Sequence, residues 1–156
     1  MNIFVLDTDT KKCAKYHVDR HCTKMIVEYA QLLCGVHHMT ESTHTVPYKL
    51  SHKNHPSAIW ARQCIENYIW LCDLGLELCK EYTFRYGKTH KSQAVIEWCL
   101  THKPNLKVNN DLTPFALAMP DECKVDDAIQ SYRNYYMTEK RRMANWKKRE
   151  TPEWFK

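Results

Sequence analysis

Between residues 17 and 31 the chain reads HVDRHCTKMIVEYAQ. Advanced by the helical turn per residue, this stretch gathers His17, His21, Lys24, Glu28 and Gln31 into one narrow arc. Val18, Cys22, Met25, Ile26, Tyr29, Leu32 and Leu33 fall on the other side. A face that only has to be wetted is usually built from Glu, Lys and Ala. Two imidazoles, an ammonium, a carboxylate and an amide are groups that can hold an anion and move a proton. A plainer reading stands beside this one, in which Glu28 is the helical i,i+4 partner of Lys24 on a solvated face. His17 and His21 have the spacing of a metal-binding pair. However, HVDRH lacks the glutamate of H-E-x-x-H and no third ligand is evident, so no metal is expected.

The chemistry such a stripe would serve is suggested by charge. The net charge is +5 with His neutral, and the excess is uneven: EKRRMANWKKRE (139–150) holds six Lys/Arg against two Glu around Trp146. Nine Tyr, five Trp and four Phe are scattered through the chain, many beside basic residues. Cations interleaved with flat rings suit phosphates and bases, which points to nucleic acid or a nucleotide, unless the run is a solvated helix face.

The elements that must position these groups follow from composition and punctuation. A length of 156 residues with 44% apolar content makes one domain, and only three Gly argue for helices over a turn-rich β fold. The expected architecture is a compact all-α single domain. Two long helices, about 9–38 and 56–86, accompany a shorter helix at about 90–101 and a C-terminal helix at about 124–147. DTDT caps the first, Pro56 opens the second after a polar loop (39–54), and Gly87 stops it. The segment 105–124 reads as irregular, with prolines at 114 and 120. Ahead of the first helix, Ile3 to Leu6 form an extended apolar lead. No apolar run is long enough to cross a membrane and the start lacks a basic leader, so a cytoplasmic protein is expected. The eight cysteines show no C-x-x-C pair and are expected to be reduced and buried.

Four segments, in order along the chain, carry a family resemblance. RHCTKMIVEYAQLL resembles the K-R-L-x-K-x-x-x-E-x-x-Q-x-L pattern of pyrimidine-dimer DNA glycosylases of the endonuclease V type. NHPSAIWAR resembles the Asn-His-Pro opening of their second long helix, MPDE their Pro-x-Glu, and TPEWFK their aromatic tail. The likeness is to a divergent, phage-type member. It implies an all-α fold and a DNA glycosylase with abasic-site lyase activity. In that chemistry the chain's own α-amino group attacks the sugar C1′, and the Schiff base formed permits β-elimination of the 3′ phosphate. An α-amino group suits the attack because, unlike a lysine in water, it leaves a useful neutral fraction near pH 7.

Carried over, Met1 supplies the amine and Glu28 the proton transfer, with no cofactor. Arg20, His21, Lys24, His55 and Arg62 would hold phosphates, while His17, Gln31 and Trp154 would touch substrate. His55 reads equally well as a helix cap before Pro56. Two departures are visible: Asn2 is too bulky to favour removal of Met1, and Ile26 and Val27 stand where family members carry arginine before the glutamate. The alternative function is a non-catalytic binder of nucleic acid, or of a nucleotide signal, in the same basic His/Lys/aromatic pocket.

Overall fold

The computed structural model describes residues 1–40 and 44–156, and all of its regular structure is helical. Six α-helices follow the extended lead: α1 (Thr10–Tyr16), α2 (Asp19–Met39), α3 (Pro56–Ala61), α4 (Ile65–Tyr86), α5 (Gln93–Thr101) and α6 (Ala128–Thr138). Short 3₁₀ turns lie at Asp121–Cys123, Arg141–Met143 and Glu153–Phe155. Residues 41–43 of the polar loop expected over 39–54 lie outside the described residues. Helices α2 and α4 pack on each other, with α1 and α5 against α4 and α3 against α2. Leu32, Leu33, Leu71, Leu74 and Leu78 fill the seam. All eight cysteines are buried and free. Among the described residues no helix is long and apolar enough to cross a membrane.

Both long helices expected from the sequence are broken. The first stops at Tyr16 and restarts at Asp19, because His17 and Val18 are extended. In an unbroken helix the Cys13 carbonyl would accept the backbone N–H of His17. Here the imidazole Nδ1–H of His17 takes that carbonyl at 2.7 Å, and its backbone N–H turns to Ala14. The carbonyls freed at the break are met by Arg85 from α4, which donates to His17 O at 2.8 Å and to Lys15 O at 3.0 Å. The same guanidinium pairs with Asp19 at 3.0 Å and Glu81 at 2.8 Å and is 1% exposed.

The second expected helix breaks at Arg62–Cys64. There Asn67 donates to Trp60 O and accepts from Thr113 N, while Ile65 N–H bonds to Lys107 O. The irregular segment thus lies across the break and satisfies it. Gly87, with φ 70°, caps α4 in the left-handed conformation, as its place in the sequence predicts.

The C-terminal helix is shorter than expected. Asp127, whose carboxylate accepts from Ile129 and Gln130 N–H, caps its start, and it ends at Thr138. Residues 139–150 leave the helix as a strap that reaches back to the α1–α2 break. Asn145 O accepts from Asp19 N–H, the Trp146 indole donates to Tyr16 O, and the Asp19 carboxylate accepts from Lys147 N–H.

Three imidazoles are sealed in this interior. Burial pushes His17 and His37 down to about 4 and His21 to about 2. The unfolded chain binds protons at these positions below about pH 6.5 and the folded chain does not, so stability is full above pH 6.5 and falls as pH drops towards 4. We expect each imidazole to remove roughly 2 kcal/mol by pH 5, seen as a steep fall in Tm between pH 7 and pH 5. A flat Tm over that range would contradict the burial. Arg85→Met should cost about 3–5 kcal/mol in urea unfolding, because it strands Asp19 and two buried carbonyls. A loss under 1 kcal/mol would show that the clamp is not needed.

Candidate active site at the chain terminus

The lead at residues 1–6 is buried: Ile3, Phe4, Val5 and Leu6 are each at most 4% exposed. Its polar groups are tied down at several points. Phe4 N–H donates to the Tyr29 hydroxyl at 3.1 Å, which donates to His17 Nε2 at 2.7 Å, and His17 in turn holds the Cys13 carbonyl. Asn2 donates through its side chain to Ala118 O at 2.8 Å, and Arg133 donates to Leu6 O at 3.0 Å. The outcome is a fixed position for the first residue. The Met1 amine lies 2.9 Å from Glu28 Oε1, and the Glu28 side chain is 12% exposed.

Amine and carboxylate open into a depression of about 300 Å³ formed by the lead, α2, the start of α3, and the end of α6. Five residues singled out from the sequence meet there: Met1, Glu28, His21, Lys24 and His55. Glu28 pairs with the amine and makes no ion pair with Lys24 among the described residues. The expected capping role of His55 is also present. Its Nδ1 accepts the Ser57 N–H at 3.0 Å, so the neutral ring carries its proton on Nε2. Burial, then the nearby terminal amine, lowers its pKa.

The other five lie elsewhere. His17, expected to touch substrate, is fully buried with both ring nitrogens engaged, so it acts one step back by anchoring the lead. The stripe was broken by the helix interruption itself, since His17 belongs to the end of α1. Arg20 is exposed and reaches towards Met143, and Arg62 donates to Lys53 O at 2.6 Å. Trp154 packs against Tyr16, Tyr136 and Phe155, with Arg133 over its ring at 5.1 Å. Gln31, one turn beyond Glu28, does not line the depression.

Lys140 and Tyr135 complete the wall and were not foreseen as site residues. The Lys140 ammonium lies 4.9 Å from the Tyr135 ring centroid, and that ring stacks on Phe4 at 5.8 Å. Lys140 belongs to the basic cluster, but no local spacing links it to Glu28; only the end of α6 brings it there. With the amine and Glu28 balancing each other, Lys24 and Lys140 leave the site positive. A larger depression of about 420 Å³, lined by Asp73, Glu77, Glu97 and Lys80, is acidic and unsuited to a phosphate. Among the described residues no group of three or more His, Cys, Asp or Glu is placed to hold a metal.

His21 is held in one form. It stacks on Phe4 at 4.2 Å, and its Nδ1 lies 2.7 Å from the Tyr136 hydroxyl. That hydroxyl accepts from Val18 N–H at 3.4 Å, so its own proton goes to His21 Nδ1, and the imidazole keeps its hydrogen on Nε2. Burial, reinforced by His17, Lys140, Lys24 and Arg20, keeps the ring neutral. His21 therefore offers a neutral N–H donor rather than the cationic phosphate contact expected from its neighbours in the stripe. Long-range ¹H–¹⁵N correlation spectra should show the Nε2–H tautomer unchanged from pH 8 to pH 5, and Tyr136→Phe should release it. Titration of His21 between pH 5 and 7 in the unaltered protein would contradict this assignment.

Comparisons of the chain with models of protein families, with curated proteins and with solved structures find no match. The functional reading therefore rests on the residues themselves.

Proposed function

We propose that the depression is the active site of a DNA glycosylase with abasic-site lyase activity, in which the Met1 amine is the nucleophile and Glu28 moves its proton. The observation that supports this is the 2.9 Å contact between a fixed terminal amine and a largely buried carboxylate, in a site with two further cations. In the paired state the nitrogen is an ammonium and has no lone pair to offer. Transfer of one proton to Glu28 yields a neutral amine, already placed, whose lone pair attacks C1′.

At an abasic aldehyde the N–C1′ bond forms as the carbonyl π electrons move to oxygen. Glu28 returns its proton to that oxygen, then takes one proton from the attacking nitrogen and passes it to the new hydroxyl, so that water leaves as the iminium forms and Glu28 is again a carboxylate. Transfer of a C2′ proton to the Glu28 carboxylate then drives electrons towards the iminium and breaks the C3′–O bond, releasing the 3′ phosphate. At an intact damaged nucleotide the same attack displaces the base. Lys24 and Lys140 suit the flanking phosphates, and the neutral His21 N–H suits an uncharged oxygen.

A second reading has an observation of its own. The amine rests in an ion pair, and two lysines would hold a phosphate whether or not it ever attacks, as in a nucleotide-binding protein without catalysis. Borohydride reduction separates the two. The unmodified protein should be trapped covalently on abasic DNA, and acetylation of the terminal amine should abolish trapping. Glu28→Gln should lower strand cleavage about 10²–10⁴-fold while leaving affinity within a few-fold. Binding of abasic DNA with neither trapping nor cleavage would favour the binder, and full cleavage by the acetylated protein would exclude the terminal amine.

A further inference from the structure

The basic strap at 139–150 begins at the site and ends elsewhere. Lys140 lines the amine depression, Met143 lies beside exposed Arg20, and residues 145–147 are bonded to the break between α1 and α2. At its far end the Lys148 ammonium donates to Phe84 O, and Arg149 makes two bonds of 2.9 Å to Glu81 at the end of α4. Lys148 sits in the left-handed region at φ 62°, a costly backbone state for a lysine that the bonds on either side maintain. The strap is thus a clamped ribbon rather than a loose tail.

Its charge is left over after these bonds are made. Among the described residues, Lys140, Arg141, Arg142, Lys147 and Lys148 have no carboxylate within ion-pair distance. Of the acids along the route, Asp19 is occupied by Arg85 and the strap backbone and Glu81 by Arg85 and Arg149, while the strap's own Glu139 and Glu150 offset only part of its six Lys/Arg. The ribbon ends on rings. Phe84 is 45% exposed, with the Arg149 guanidinium stacked 4.0 Å from its centroid, and Lys147 lies 5.2 Å from the Tyr86 ring. Fixed surplus cations leading from the amine pocket to the exposed Phe84 ring, with half-buried Tyr86 beside the path, match a single strand, with phosphates along the ribbon and a base on the ring at its end.

We propose that the strap is the path of the single-stranded segment flanking the nucleotide held in the amine pocket, with Phe84 as the stacking platform at its far end. This rests on the pocket taking a nucleotide, but not on its cleaving one. The test is fluorescence anisotropy with single-stranded DNA carrying a tetrahydrofuran abasic analogue, which cannot form a Schiff base. The strand is lengthened from three to twelve nucleotides on either side of the analogue. Affinity should rise with length on one side only. Lys147→Gln with Lys148→Gln should remove most of that gain and flatten the log–log salt slope by about 0.7 per lysine. Phe84→Leu should weaken the longer strands by between about 5- and 100-fold and leave the three-nucleotide strand unchanged. Circular dichroism checks that the variants keep their helix content.

The path is overturned if the variants keep the full length gain, if lengthening brings no gain, or if blunt duplex binds more tightly and is indifferent to Phe84. Cleavage of abasic DNA with an unaltered length gain removes the path and leaves the chemistry. A length gain lost in the variants, in a protein that never cleaves, keeps the path and removes the chemistry.

Discussion

The interruption of the first helix at His17 and Val18 is the constraint on which the remaining structure depends. A continuous helix through these residues would satisfy its own carbonyls. It would also turn the imidazole of His17 away from Cys13 and Tyr29, leaving the Tyr29 hydroxyl, which anchors the Phe4 N–H, without its acceptor. The break is held from outside by one guanidinium and by the strap. Arg85 satisfies the carbonyls of Lys15 and His17 while pairing with Asp19 and Glu81. A charge this deeply buried is costly to place and costly to remove, because the Lys15 and His17 carbonyls would lose their partner and Asp19 its ion pair. Burial works against ionised Glu81, yet hydrogen bonds from Arg149 and Arg85 hold its carboxyl below the usual range.

From that clamp the position of the terminal amine follows step by step. The lead packs Phe4 against α6, its backbone is tied to Tyr29 and Arg133, the Asn2 side chain holds Ala118, and its first atom is left beside Glu28. In the proposed attack, an amine held this way would give up little further entropy, which is how position alone contributes to rate. Neutral His21, with Tyr136 and Phe4 setting its hydrogen and its plane, adds a donor whose state does not vary over the physiological pH range.

Much of this was legible in the sequence where a single element carried the signal. Glycine scarcity and helical periodicity give the all-α class. Pro56 and Gly87 mark one helix start and one stop, and the apolar lead reads as buried. The grouping of His21, Lys24 and Glu28 is a property of one helix and survives intact. The features that were not legible are tertiary. No local rule breaks a helix at His17–Val18 or Arg62–Cys64, since the partners that satisfy those breaks, Arg85 and Asn67 with Thr113, lie in other elements. For the same reason His17 reads as a member of the polar stripe although it is an internal strut. Lys140 reads as one more surface cation although α6 delivers it to the pocket. The strap reads as helix because its residues suit a helix, while its contacts with Asp19, Tyr16 and Glu81 draw it out of one.

The central claim is that the α-amine, and not a lysine, forms the covalent bond. Borohydride-trapped protein–DNA adduct, digested with trypsin and mapped by mass spectrometry, tests this most directly. The adduct should lie on the peptide that begins at Met1 and ends at Lys11. An adduct on a peptide containing Lys24 or Lys140, or no adduct under conditions where the DNA is bound, would contradict it.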